Sequence, residues 1–346
     1  MVKFNYLNIK QIKSIHPIQN YTLTCIESKE DLYSVSSNAH RTKEAFVLPV
    51  FHTIFQTLDQ PMVVVRIIRD TAFILEANRA FCRLVGYSNE EIIGKAANDI
   101  ISQYCLKQDK LQFQKETFLY TKRRRRTPVR IEHKPLDKAA CGQDNLAIIL
   151  VEDLSAHKWI AEQYERDKVL ISGIVDSNYH IRYLKDFFAP LLFEPEKRLE
   201  DETILEFISE TEFKRFEEAF LTSSKMKKMN HLKVKTKKLS GVELELTVTF
   251  TPLFDGFGTI KEYAFVIWDL NPINDSVDSS MKLKIWMAKR DMSANQLAAA
   301  THISIQTISK LRNGKIKKPQ RLTAELIASE LKVEVSEIWS EVRRGR

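Results

Sequence analysis

Glu76-Ala77-Asn78-Arg79-Ala80-Phe81-Cys82-Arg83-Leu84-Val85-Gly86-Tyr87-Ser88-Asn89-Glu90-Glu91-Ile92-Ile93-Gly94-Lys95 decides the fold of the first half of the chain. Arg79 to Val85 and Asn89 to Gly94 read as two short helices. Asn78 suits the turn into the first, because its side chain can cap orphan amides, and Gly86 suits a helix end that needs positive φ. Upstream, Met62 to Val65 and Ala72 to Leu75 are strand-like around a turn at Asp70. Downstream, the strand-like run Val129 to Leu136 is followed by the apolar run Leu146 to Val151 and then Asp153-Leu154. Strands, short helices and a closing antiparallel meander predict an α+β domain.

The closing features recur. Leu244 to Phe250 leads to Pro252-Leu253, a turn at Asp255-Gly256-Phe257-Gly258, the run Tyr263 to Trp268 and Asp269-Leu270. Pro252 lies 117 residues after Pro135, and Asp269 lies 116 after Asp153. Two equivalent domains of roughly 110 residues each are expected, too long for solenoid units. The stretch 76–95 resembles the core of the PAS domain, with its Asn-led helix followed by Gly-Tyr-Ser, two acids and Ile-Gly. Val151-Glu152-Asp153-Leu154-Ser155 resembles the end of the last PAS strand. The resemblance covers about 51–157, and the repeat extends it to a second PAS-like domain.

PAS relatives hold a cofactor or a metabolite, or only dimerise. Light-sensing members place a reactive Cys two residues after the Lys of the Ile-Gly-Lys segment, where Ala97 stands; Cys82 lies in the preceding helix. Haem-binding members use a His on the helix after this segment, and none occurs between Ile93 and Gln112. His133, on a strand, reads as a surface or satisfied histidine. No cofactor is therefore expected, with haem and flavin disfavoured and a small organic ligand in a PAS cavity left open.

The 346 residues suit two or three domains. Hydrophobic residues at 44%, with only 9 Gly and 10 Pro, exclude a collagenous or largely disordered chain. The longest apolar runs fall far short of the ~18 residues of a membrane span, and the N-terminus has no apolar block or cleavage site, so a cytoplasmic protein is expected. Cys25, Cys82, Cys105 and Cys141 stand far apart without a CxxC pair, which argues against zinc and against a disulfide framework.

The net charge is +8, unevenly spread. Residues 161–270 hold 16 basic and 20 acidic side chains, whereas 271–346 hold 14 basic and 8 acidic ones, a net +6. A basic C-terminal module points to an anionic partner, most often nucleic acid. The loudest local run, Lys122-Arg123-Arg124-Arg125-Arg126, falls by the repeat in a hairpin turn, with Lys225, Lys227, Lys228, Lys237 and Lys238 as its echo. A solvated turn is its leading reading, and a phosphate or carboxylate contact the alternative.

From Met281 the pattern is helical. Leu283, Trp286 and Met287, then Leu297, Ala298 and Thr301, then Ile305, Ile308 and Leu311 form stripes at helical spacing. Ser293 and Ser304 suit N-caps, and Arg312-Asn313-Gly314 a stop. Leu322, Leu326 and Ile327, then Val335, Ile338 and Trp339, supply two more helices. Ser293 to Gly314 resembles the helix-turn-helix of the lambda-repressor and Cro-like (XRE-type) family: Leu-Ala in the second helix, Ile-Ser at the turn, Ile-Ser-x-Leu in the third, then Asn-Gly. His302 replaces the usual turn Gly, and Ala294 stands where a phosphate-contacting Gln is common. The resemblance makes 305–312 a recognition helix. With Ile308 and Leu311 facing the core, Gln306, Thr307 and Lys310 face bases, Ile305 can meet a thymine methyl, and Ser309 joins them. Asn313, Lys315, Lys317 and Lys318 lie past the helix end, on phosphates.

The domains expected are a small β-rich extension over 1–50, a PAS domain over 51–160, a second PAS-like domain over 161–270, a turn-rich linker over 271–280 and the helix-turn-helix domain over 281–346. In the extension, Ile9 to Ile15, Tyr21 to Ile26 and Leu32 to Ser36 alternate like strands. The whole reads as a one-component transcription regulator, not an enzyme. It is expected as a homodimer on palindromic double-stranded DNA under the control of a small-molecule effector, away from membranes. The rivals are a PAS-linked signalling enzyme, for which no glycine-rich phosphate loop or paired catalytic carboxylates are found, and a protein-interaction scaffold with non-specific DNA binding.

Overall fold

The computed structural model describes residues 50–104, 113–136, 145–186, 202–238, 242–273 and 277–343. The described residues up to 54 and residues 55–346 fall in two units. The strands expected between Ile9 and Ser36 lie outside the described residues; helix α1 covers 50–57. All further elements belong to the second unit.

Two five-stranded antiparallel sheets share one strand order. In the first, β1 (Met62–Ile68), β2 (Thr71–Ala77), β3 (Phe113–Tyr120), β4 (Arg126–Pro135) and β5 (Leu146–Asp153) run β2-β1-β5-β4-β3. In the second, β6 (Ile171–Asp176), β7 (Ile181–Asp186), β8 (Asn230–Lys235), β9 (Leu244–Phe254) and β10 (Ile260–Pro272) run β7-β6-β10-β9-β8. The last strand of each domain thus lies at the centre of its sheet. Alternate residues bury one face: Val63 pairs with Ile149 and Ile131 with Val151, and all four are core.

Helices α2 (Arg79–Val85) and α3 (Asn89–Ile92) follow the first hairpin. Buried Asn78 links helix to sheet: its Oδ1 accepts from Met62 N and Phe81 N, both at 2.9 Å, while Nδ2 donates to Gln60 O at 2.7 Å. Gly86 ends α2 at φ 76. Asn78→Ala leaves two buried amides without acceptors and is expected to cost about 2–4 kcal/mol, read by chemical denaturation. An unchanged denaturation midpoint would contradict this bridging role.

His133 is not on the surface. It is buried, stacked on Phe113 with ring centroids 5.1 Å apart, and its Nδ1 lies 2.6 Å from Tyr104 Oη. Burial holds its pKa below the ordinary histidine value. Cys82 is also buried, and burial pushes its thiol up to about 11, so it packs as an inert side chain.

Helix α4 (Ser155–Arg166), absent from the sequence expectations, joins the domains and crosses the division set at 160/161. Ala156 and Ile160 on one face pack against Ile174 and Ala264 of the second sheet. Asp153 binds both sides of this junction. Its Oδ1 accepts from Ser155 N at 2.9 Å and Ser155 Oγ at 2.6 Å, and its Oδ2 meets Lys261 Nζ of β10 at 2.9 Å.

The arginine run occupies the β3–β4 turn with all five side chains exposed, and several of them also make contacts. Lys122 pairs with Glu91, Arg125 Nη2 donates to Phe254 O of the second domain, and Arg126 lies 3.5 Å over the Phe118 ring. Arg123 covers Gly258. Beside it, Gly256 N donates to Arg83 O at 2.7 Å, so close that a Cβ on Gly256 would overlap the Gly86 backbone. The lysine echo is not a second such turn. Helix α5 (Phe213–Met226) runs far enough that Lys225 lies in it and Lys227 caps it at φ 52, where cations suit the helix dipole; only Lys237 and Lys238 follow β8.

The C-terminal helices are α6 (Ser279–Lys289), α7 (Ala294–Thr301), α8 (Ile305–Arg312), α9 (Arg321–Leu331) and α10 (Val335–Ile338). The linker is shorter than 271–280, because β10 pairs through Pro272 with Leu244 and Asp278 already caps α6. Helix α6 is apolar on two faces. Leu283 and Met287 enter the helical core with Leu297, Ile308 and Ile327, whereas Ile285 enters the core of the second sheet domain with Ile171 and Leu270. Lys289 Nζ reinforces the junction, 2.7 Å from Asp269 Oδ1 and 2.8 Å from Asn271 Oδ1.

Burial alone would raise the carboxyls of Asp153 and Asp269. Lys261 and Ser155 at the first, and Lys289 and Asn271 at the second, hold both below the usual range. A depressed folded pKa stabilises above the unfolded value, about 3.9, and that stability disappears as pH falls through the folded value. Both junctions are therefore expected to weaken below about pH 4, read as unfolding free energy against pH, with a shallower acid slope in Asp153→Asn. An identical slope in that variant would contradict the assignment.

Candidate nucleic-acid interface

Helices α7 and α8 form two short rods about a tight turn. Ser293 Oγ accepts from Gln296 N, and Gln296 Oε1 accepts from Ser293 N at 2.8 Å, a reciprocal cap on α7. His302 ends α7 in the left-handed region at φ 56, a conformation histidine adopts more readily than most side chains. Ser304 then caps α8 by accepting from Thr307 N. Gly314, at φ 69, turns the chain after α8.

Helix α8 keeps Ile308 and Leu311 in the core and turns its other side outward. Gln306, Ser309 and Lys310 are exposed, as is Ile305 at 41%. Thr307 is half-buried, and its hydroxyl lies 2.9 Å from Ser304 Oγ, so the cap engages it. Asn313 Nδ2 reaches Ser309 Oγ at 3.5 Å, which ties these two exposed residues together. Lys315 and Lys317 stand exposed on the same turn beyond α8. Lys310, Lys315 and Lys317 have no carboxylate partner among the described residues, whereas Lys318 is held by Glu341. The eight expected residues thus fall on α8 and the turn after it, and Lys318 differs in having an acid of its own.

Residues 60–156 match the family of PAS domains, and residues 282–340 match the Cro/C1-type HTH DNA-binding domain. The chain carries a PAS domain and a Cro/C1-type helix-turn-helix. A sensory domain is thereby joined to a DNA-binding domain, and both are regulatory rather than catalytic types. The second sheet domain repeats the strand order of the PAS domain.

Among solved structures, the chain is similar to a PAS domain from a two-component sensor histidine kinase (16% identity, 32% of this chain and 98% of that one, TM-score 0.28). It is also similar to the PAS domain of an HTR-like protein from Haloarcula marismortui (13%, 34% and 98%, TM-score 0.29). A third is the LOV domain of a blue-light activated histidine kinase from Erythrobacter litoralis (14%, 28% and 98%, TM-score 0.25). No curated protein matches. No described helix is long and apolar enough to cross a membrane.

Proposed function

We propose that this protein is a one-component transcription regulator of the cytoplasm, in which PAS-type domains sensing a small molecule control operator binding by the helix-turn-helix. The observation that carries this reading is the unpaired basic, amide-bearing face of α8 on a matched DNA-binding domain. Gln306 pairs with adenine, Lys310 with guanine, and Ile305 and the Thr307 methyl meet thymine methyls. Ser309 stands beside the base-facing side chains, and Asn313, Lys315 and Lys317 hold the module on the phosphates and set its register. The working domains are the PAS domain, its structural repeat and the DNA-binding domain, as expected over 51–160, 161–270 and 281–346, with α4 shared across the first division and β10 running on through Pro272.

Helix α8 is about 12 Å long at ~1.5 Å per residue and spans only a few base pairs. Two copies are therefore needed for a unique site, and a homodimer on a palindromic operator follows, with half-sites about one helical turn apart. Selection from a random pool of duplexes tests the proposal. It should enrich one motif with two-fold symmetry and that spacing, whereas a pool that stays random would overturn it.

A further inference from the structure

Helix α5 packs one side on the second sheet, with Phe216 and Phe220 buried and Phe220 stacked on Phe250 at 4.0 Å between ring centroids. Its opposite side carries an ordered pattern. Glu217 and Glu218, then Leu221 and Thr222, then Lys225 and Met226 are all exposed, Leu221 at 53% and Met226 at 66%. Glu218, Leu221 and Lys225 are three and four residues apart, so they stand in one row. Among the described residues the ion pair of this helix is at its start, Arg215 to Glu212, and none involves Glu218 or Lys225. The helix dipole accounts for Lys225 in the last turn. It does not account for Glu217 and Glu218, which lie in the second turn while the first holds no acid.

From this row we infer a self-recognising surface: α5 takes α5 of a second copy of this chain, antiparallel, about a two-fold axis between Leu221 and Thr222. Glu218 and Lys225 lie equally far to either side of that axis. Glu218 of each copy therefore meets Lys225 of the other, and the two Leu221 side chains meet at the centre. A two-fold contact requires one patch that complements itself, and this order of acid, leucine and lysine does so. A parallel pairing would set Glu218 on Glu218 and Lys225 on Lys225. An acidic or a basic partner of another kind would satisfy only half of the row.

The inference gives the proposed homodimer its surface, and it rests on the regulator reading only for its use on DNA. The second sheet domain also seats the DNA-binding domain, through Ile285 in its core and Lys289 on Asp269. Pairing two second domains thus holds two copies of α8 in one assembly. The 14 residues of α5 span about 21 Å at ~1.5 Å per residue. Such a contact is smaller than a standard interface of roughly 1,600 Å², so the free dimer should be weak. A duplex with two half-sites strengthens it by raising the effective concentration of the second copy.

Sedimentation equilibrium of the full-length protein without DNA tests this. A monomer–dimer equilibrium is expected, weaker as salt rises from about 0.1 to 1 M and the screening length falls from ~10 to ~3 Å. Glu218→Lys and Lys225→Glu each set like charges together at two places, and each should raise the dissociation constant by roughly tenfold or more. The chain with both substitutions regenerates the two pairs with signs exchanged and should return to within about threefold of the wild type. A helix that was merely destabilised would gain no such rescue. Should Lys225→Glu fail to fold at the helix C-terminus, Glu218→Gln, which repels nothing, should still weaken the dimer and flatten its salt dependence. A wild type that stays monomeric to roughly 0.5 mM leaves the row to another partner and overturns the inference. A dimer indifferent to the single substitutions, or a double variant without rescue, overturns it equally. Because no DNA is present, failure of operator selection would strike the regulator reading alone.

Discussion

Replacing Gln306 and Lys310 together by Ala should erase sequence discrimination while leaving the fold intact. Both side chains are exposed, and neither contributes to the core that holds α8, which rests on Ile308 and Leu311. In the proposed function their value lies in base edges. A well-formed bidentate pair is worth about 1–3 kcal/mol of discrimination, so losing two should reduce preference for the operator by roughly 30-fold or more. Lys310 also carries one of the charges near the backbone, so the salt slope should flatten by about one unit at most. Lys315→Ala with Lys317→Ala should do the reverse, weakening binding to all sequences alike and flattening the slope by about two units. Full operator preference in the first double variant would remove α8 as the reading element.

Gly256→Ala should part the two sheet domains. Gly256 lacks the positive φ of Gly86 and Gly258, so a methyl there causes no backbone strain of its own. What it meets is the main chain of Val85 and Gly86, which cannot swing aside. The overlap, with the loss of the Gly256 to Arg83 bond, should cost about 2–4 kcal/mol. It should also release Arg125 from Phe254 O and Lys261 from Asp153, because these contacts share the seam. Gly86→Ala should cost more, since the left-handed conformation adds to the same overlap. Denaturation together with hydrogen exchange at the β3–β4 and β9–β10 turns reads both variants. Undiminished protection at those turns in Gly256→Ala would show that the seam does not depend on this approach.

Much of the first domain was legible because its signals are local. Asn78 and Gly86 act on their own helix, and the alternation of β1, β4 and β5 marks their buried faces directly. The second domain was visible only through its closing strands, since β6 to α5 lack those local marks. What stayed hidden depends on partners distant in sequence. Ile285 reads as an interruption of the Leu283–Met287 stripe until the sheet on its other side is known. Helix α4 carries its buried side chains at Ala156, Ile160 and Gln163, a helical spacing that could have been found, although its charged residues obscure it. The place of the arginine run in an exposed turn was legible, whereas the contact of Arg125 with a carbonyl of the other domain leaves no trace in charge patterning. At α8 the division between core and outward positions was legible, whereas the pairing of Lys318 with Glu341 needed the return of the chain after α10.

The central claim is that α8 reads sequence and does more than anchor a basic surface. It is tested most directly by the affinity of the full-length protein for its selected duplex and for a scrambled duplex of the same composition, measured across a series of salt concentrations. The prediction is two roughly parallel lines in log affinity against log salt, the selected duplex bound about 10³-fold or more tighter throughout. A single line shared by both duplexes would contradict it, and would leave a basic module that binds DNA without reading it.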